Sequence, residues 1–520
     1  MVIPRAQAPA QDRSSSLHWT LAIAVAAIAF LVRLVPVLRG GGLFGLGNYD
    51  DGVYYAGATG LIHGLLPYED FLLLHPPGML LLLAPFAGVA QLTGDPYGFA
   101  AARVAWMLLG AVNAVLIWRI LRPIGLVAGL FGALSYAVFY PAVYADHTTL
   151  LESPATTALL LAILLLEPLS NTSSLPRGRA LAAGALLGLM VAIKIWGVVT
   201  VVIVLGWLLL IRRFRAAMQV MIGSAAIAGL ICLPFFAAAP TTMWHQLVRD
   251  QIGRHANTGV TLLGRLDDMV GLGIVGRPHM TITVVAVAAL LCCAALAWSY
   301  REARLAVVLL LGQGGYLLIT PTWFPHYAGF TAAPVALTVG AAIARLIALV
   351  RVRPARTAVA IAAAGALLVY TSGWSDIRFG RQFPDQFKAP AATAPGCVTT
   401  DDATALAETN TLSRNLSRGC RFIADLGGHS HDMAAEMAAT SGVLVSRNKN
   451  KQFQRFALAH LSSGSVTILI RFSAGRGFST KTTAVLDQWP LLARSGRYQV
   501  RQPVESGQSA ARDSSKPQRR

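Results

Sequence analysis

The sequence predicts an α-helical polytopic membrane protein of about 11 transmembrane helices, followed by a small C-terminal α/β domain. Three observations carry this prediction. Of 520 residues, 55% are hydrophobic and only 13% are charged. The apolar residues gather into runs near the roughly 20 residues that a spanning helix needs. Beyond about residue 372 those runs give way to short segments of alternating character.

Spans are expected near 17–38, 98–118, 124–144, 148–166, 180–194, 196–211, 216–237, 280–299, 305–320, 327–349 and 357–371. The first run is long for a signal-peptide core and has no small-residue cleavage site, so it reads as a retained helix. Arg5, Arg13, Arg119, Arg122, Arg177, Arg179, Arg212, Arg213, Arg215, Arg301, Arg304, Arg351, Arg353 and Arg356 then fall on one side, which the positive-inside rule makes cytoplasmic. The run 78–92 is short and reads as an interfacial helix. The stretch 180–211 is too long for one helix and reads as a hairpin whose tip, "KIWG", places Lys194 at the external end. The predicted location is a cell inner (plasma) membrane, crossed several times, with the N-terminus cytoplasmic and the C-terminal domain outside.

The predicted organisation is therefore a membrane domain over 1–371, with its first external loop at about 40–97. An exported α/β domain covers 372–503, and a disordered basic tail covers 504–520. Within the α/β part, "GCRFIADL", "VLVS", "SVTILIRF" and "YQVRQP" read as strands, "KQFQRFALAHL" and "KTTAVLDQWPLLARSG" as helices. Cys397 and Cys420 fall in this part and are placed to bridge if it is exported; the pairing stays open. The net charge of +19 is accounted for by loop arginines, and no aromatic-interleaved basic surface points to nucleic acid.

The chemistry concentrates in "NYDDGVYYAGATGLIHGLLPYEDFLLLHPPG", residues 48–78. Asp50 and Asp51 lie just past the first span, where a carboxylate meets both water-borne and lipid-borne reactants and can serve as a general base. The plainer reading is a pair that caps the helix starting near Val53.

This stretch resembles the first external loop of the GT-C glycosyltransferases that use polyprenyl-phosphate sugars, in the protein O-mannosyltransferase and aminoarabinose (ArnT-like) lineage, family 39/83-type. The acidic pair is followed by Tyr55 on an amphipathic helix, then "GLLPYEDF" and "HPPG". Asp51 stands where Glu is common in that family. Further along, "FAAARVAWMLLGAVNAVLIWRIL", "HTTLLESPATTALLLAILLL", "GALLGLMVAIKIWG" and "WFPHYAGFTAAPVAL" are similar to later parts of the same membrane domain, so the resemblance covers about the first 350 residues.

What the resemblance implies is inverting transfer of a sugar from a polyprenyl-phosphate donor to an acceptor hydroxyl on an envelope polysaccharide, lipid or protein. Asp50 and Asp51 are the catalytic candidates, with Asp50 as general base. Lys194 is the candidate cation for the leaving phosphate; snorkelling from a helix end is its plainer alternative. Tyr55, Tyr68, Glu69, Asp70, His75, His326 and Tyr327 are candidates for substrate binding. Asp146, His147 and Glu152 straddle an external turn, and Arg33 lies near the outer end of the first span. Arg249, Arg254 and Arg265 mark an external loop helix, read first as a solvated amphipathic surface helix and otherwise as a docking place for an anionic donor headgroup or acceptor. A divalent metal is compatible with paired Asp residues but is not predicted, and no His-x-x-x-His spacing suggests zinc. The alternative class is a transporter or flippase for a lipid-linked sugar. The acids, however, gather in one external loop rather than at mid-bilayer, and no internal repeat is evident.

Overall fold

The computed structural model describes residues 10–166, 175–252, 260–272, 279–441, 445–472 and 477–504. Arg5, Arg254 and the tail 505–520 lie outside them. The chain divides into two compact units, 1–382 and 383–520.

In the first unit, ten helices lead up to residue 238: α1 (Ala10–Gly40), α2 (Tyr49–Ile62), α3 (Gly78–Thr93), α4 (Asp95–Leu121), α5 (Leu126–Val138), α6 (Tyr140–Asp146), α7 (Glu152–Leu166), α8 (Arg177–Ile193), α9 (Gly197–Leu210) and α10 (Phe214–Ala238). Later helices at Met280–Ala297, Arg301–Ile319, Ala332–Leu349 and Arg353–Ser372 complete it. Among the described residues, seven helices are long and apolar enough to cross a membrane, or eight if the bent pair α5 and α6 counts as one span. The bend is 58° and follows Phe139, whose extended backbone precedes a tyrosine and Pro141. Helices α7, α8 and α9 stand where spans were expected but have only 15, 17 and 14 residues.

The turn Lys194–Trp196 joins α8 to α9 as the expected hairpin. Close packing holds this region. A Cβ on Gly184 would lie 2.2 Å from the Val220 carbonyl oxygen, and one on Gly188 would lie 2.3 Å from that of Ser224, so α8 and α10 meet almost backbone to backbone.

After the last long helix the chain returns to the first loop. Strand β1 (Gly45–Leu46) pairs antiparallel with β2 (Arg381–Gln382). Residues 372–382, assigned from sequence to the exported domain, therefore belong with the first unit.

The second unit holds strands β3 (Val398–Thr400), β4 (Val466–Leu469), β5 (Leu491–Ser495) and β6 (Tyr498–Arg501), in the order β3-β4-β6-β5. Strands β3 and β4 run parallel, and the other neighbours antiparallel. Phe453, Leu461, Phe472, Phe478 and Trp489 fill its core, and Cys397 is bridged to Cys420. Three local expectations change. "GCRFIADL" is not a strand, because the chain turns from the bridge directly into the helix Leu426–Ser441. The helix begun at Thr480 ends at Gln488 before Pro490, and "LLARS" forms β5 instead. Val443 and Leu444 of "VLVS" lie outside the described residues, and Val445 and Ser446 belong to no strand.

Candidate functional site

Helix α2 starts at the acidic pair because Asn48 accepts a hydrogen bond from the Asp50 backbone N–H at 3.2 Å, and two carboxylates in the first turn suit the helix dipole. The pair then divides. Asp51 is fully buried, and its Oδ2 accepts from Arg103 Nε at 2.9 Å and Nη2 at 2.7 Å. Its Oδ1 accepts from the Thr149 backbone N–H at 3.0 Å and hydroxyl at 2.6 Å. Arg103 also donates to the carbonyls of Gly42 and Leu43 and lies over the Phe99 ring. With both oxygens engaged and no exposure, Asp51 anchors the start of α2 to Arg103 and Thr149. Asp50, one residue earlier on the helix, is half-buried.

The turn 147–152 ties this anchor to a second cluster. Its Thr149 holds Asp51, while Glu152, the first residue of α7, forms a buried ion pair with Lys194. Lys194 caps the C-terminus of α8, and its ammonium lies 4.3 Å from the Trp196 ring centre and 4.7 Å from that of Tyr327. The His326 ring stands edge-on to Tyr327 at 4.9 Å. The structure thus brings Lys194, His326 and Tyr327 together. Lys194 is buried rather than snorkelling, and Glu152 Oε2 has no hydrogen-bond partner among the described residues.

Other expected residues serve the framework. Tyr55 is buried, stacks on Phe99 and donates to the Asp95 carbonyl at 3.3 Å. Tyr68 is buried at a positive φ of 72° and donates to the His75 carbonyl at 2.7 Å; burial raises its phenol well above the usual range. Asp70 accepts from the Leu66 backbone N–H at 2.7 Å, a local turn cap, and both it and Glu69 are exposed. His75 is half-buried with its ring against Tyr54. Arg33 is fully buried and bound to Asp146 at 2.8 Å. Arg265 donates to the carbonyls of Leu318 and Thr320 instead of presenting its charge outward.

Sequence reasoning missed Arg103 as the partner of Asp51 and Glu152 as the partner of Lys194. The available signal was an arginine inside an apolar span, which lipid tolerates only with a counter-charge. Burial pushes the His147 imidazole down to about 4, so this ring beside Asp51 and Arg103 is neutral at neutral pH.

A family model, Glycosyltransferase family 87, matches residues 73–321, a stretch that includes Glu152 and Lys194 but begins after the acidic pair. No curated protein matches the chain by sequence. Among solved structures, the chain is similar to ArnT from Cupriavidus metallidurans in the apo state, with a TM-score of 0.60 and 14% identity over 94% of this chain and 98% of that one. ArnT bound to undecaprenyl phosphate gives a TM-score of 0.55 and 14% identity over 96% and 99% of the two chains. The archaeal oligosaccharyltransferase AglB from Archaeoglobus fulgidus, in complex with an inhibitory peptide and a dolichol-phosphate, gives 0.56 and 12% identity over 88% of this chain and 69% of that one. The helices long and apolar enough to cross a membrane mark a multi-pass membrane protein, its fold is that of the ArnT and AglB structures, and residues 73–321 match the model of glycosyltransferase family 87.

Proposed function

We propose that the protein transfers a sugar, with inversion, from a polyprenyl-phosphate donor to a hydroxyl of an envelope polysaccharide, lipid or protein. The active face is extracytoplasmic, in the inner membrane, with the N-terminus in the cytoplasm. The observation that carries this reading is the turn 147–152, which joins the anchored Asp51 to the buried Glu152–Lys194 pair. That connection makes a half-buried carboxylate and a caged cation parts of one framework. The lipid phosphates in the ArnT and AglB structures fit the same reading.

In the proposed reaction the Asp50 carboxylate takes the proton of the acceptor hydroxyl as its oxygen bonds to C1 of the sugar. The bond from C1 to the phosphate oxygen breaks, and polyprenyl phosphate leaves with the electron pair. Lys194 stabilises the charge that builds on that leaving group, and its low-dielectric surroundings strengthen the effect. Arg103 binds Asp51 and so holds the start of α2, presenting Asp50 in one geometry. Orientation is supported by helix polarity: α4 starts at Asp95 beside Tyr55 and ends with Arg119, and α8 runs from Arg177 to Lys194. The Cys397–Cys420 bridge suits an oxidising compartment for the second unit.

The test is purified protein in liposomes supplied with a polyprenyl-phosphate sugar. Transfer or slow hydrolysis of the sugar is expected, and Asp50→Asn should lower the rate by about a hundredfold or more. A folded Asp50→Asn protein with undiminished transfer removes Asp50 from the mechanism; movement of intact lipid between leaflets without sugar release overturns the enzyme.

A further inference from the structure

One cavity beside the acidic pair has no part in the chemistry described so far. It measures about 390 Å³, and Asn48, Tyr140, Tyr144, His147, Arg378 and Phe379 line it. The volume falls within the roughly 300–1,000 Å³ of small-molecule sites. Its wall is aromatic: the His147 ring is stacked on Phe379 at 4.0 Å with an 18° interplanar angle, and Tyr144 meets Phe379 edge-on at 6.1 Å. His147 is fixed by an Nδ1 contact to the Tyr144 carbonyl at 2.7 Å and is uncharged at neutral pH. The exposed Arg378 supplies the cavity with a cation, and no carboxylate is among the described residues that line it.

The wall is held in place before any ligand arrives. The segment carrying Arg378 and Phe379 follows the last long helix. The Phe379 backbone N–H donates to the Pro36 carbonyl at 2.9 Å, and Arg39 donates to the Ser375 carbonyl at 3.2 Å. Gly380 has a φ of 77°, and a Cβ there would lie 2.5 Å from Gly42 Cα, so the segment and the first loop interlock. On the opposite side Gly47 also lines the cavity, and a Cβ on it would lie 2.7 Å from Asp51 Oδ2. The cavity therefore abuts the carboxylate anchor, and Asn48 is the cap of the helix that bears Asp50.

We infer that this cavity is the saccharide subsite of the acceptor, with a sugar ring lying against the partly exposed Tyr140 and Tyr144, which the stacked His147–Phe379 pair backs, and Arg378 binding its oxygens at the rim. Aromatic faces suit the C–H face of a pyranose, while a guanidinium and an Asn amide orient its hydroxyls. A sugar seated here presents a hydroxyl toward the start of α2, where the proposed base stands. The inference rests on the reading of Asp50 as that base.

The test uses the full chain in lipid nanodiscs, free of sugar-headed detergent. The probes are methyl α-mannopyranoside and methyl β-glucopyranoside, followed by saturation-transfer NMR. Binding of at least one glycoside is expected, with Arg378→Ala and Tyr144→Leu each weakening it about tenfold. Arg378 is exposed, so its variant tests the subsite without disturbing a core. No saturation transfer to either probe, or an affinity in both variants equal to the parent's, overturns the proposal. Asp50→Asn separates the two readings: it should bind the glycoside as the parent does while losing transfer. If it keeps transfer, the base assignment fails while binding still decides the subsite.

Discussion

Arg103 and Asp51 show how one residue's role is set by a partner far away in the chain. Both are fully buried, and two charges removed from water are tolerable only because each satisfies the other. Arg103→Met should leave the Asp51 charge uncompensated and destabilise the first unit by about 3–5 kcal/mol. The double substitution Arg103→Met with Asp51→Leu should recover most of that loss, because no orphaned charge remains. Thermal unfolding in nanodiscs measures both, and a double variant as unstable as the single one would show that packing, not charge, is at stake. Asp50 and Asp51 are indistinguishable in the sequence, since the partner that separates them is 52 residues away. The candidate site was legible in its residue types, while the division of labour was not. Lys194 tells the same story: its place at the hairpin tip could be read from the arginines at both ends, but Glu152, 42 residues earlier, could not be matched to it.

Among the elements, the apolar runs were readable because lipid imposes one length and one period, and each expected span coincides with described helix over most of its length. The local departures occur where a span end serves the site. The helix expected from 148 begins at Glu152, because residues 147–151 form the turn that reaches Asp51. Position along an apolar run does not encode that diversion. The close contact of α8 with α10 has a functional consequence, since Lys194 is the cap of α8. Gly188→Val would force its side chain against the Ser224 backbone and push the helices apart. Sugar transfer should fall at least tenfold, whereas Gly206→Val on α9, where nothing lies within 4 Å of an added Cβ, should leave it unchanged. Equal rates in the two variants would detach Lys194 from this packing.

At the scale of the whole molecule, the second unit was legible where short β-branched strands alternate with amphipathic helices, and obscure where Gly, His and Ser make a helix look like a loop, as in Leu426–Ser441. Its buried charges also lie far apart in sequence. Asp401 accepts three backbone N–H groups from residues 470–472, Asp402 accepts from Thr404 N–H, and His460 meets the Thr400 carbonyl, all at the carboxyl ends of β3 and β4. Burial pushes the Asp402 carboxyl up to about 6 and the His460 imidazole down to about 4; Asp401 and His429 shift in the same respective directions. The signs oppose. Asp402 holds its proton in the folded state between its unfolded value of about 3.9 and about 6, so its contribution is full at low pH and is lost as pH rises through that window. His460 is neutral in the folded state down to about 4, whereas the unfolded imidazole takes a proton below about 6.5, so stability is lost as pH falls. The parent protein should show little net slope between pH 4 and 6. His460→Gln should tilt the profile toward loss with rising pH, and Asp402→Asn should tilt it toward gain. Amide exchange of β3 and β4 in the full chain, corrected for intrinsic rates, reads both slopes; profiles that move in parallel would show that these two groups do not govern the acid response of the sheet.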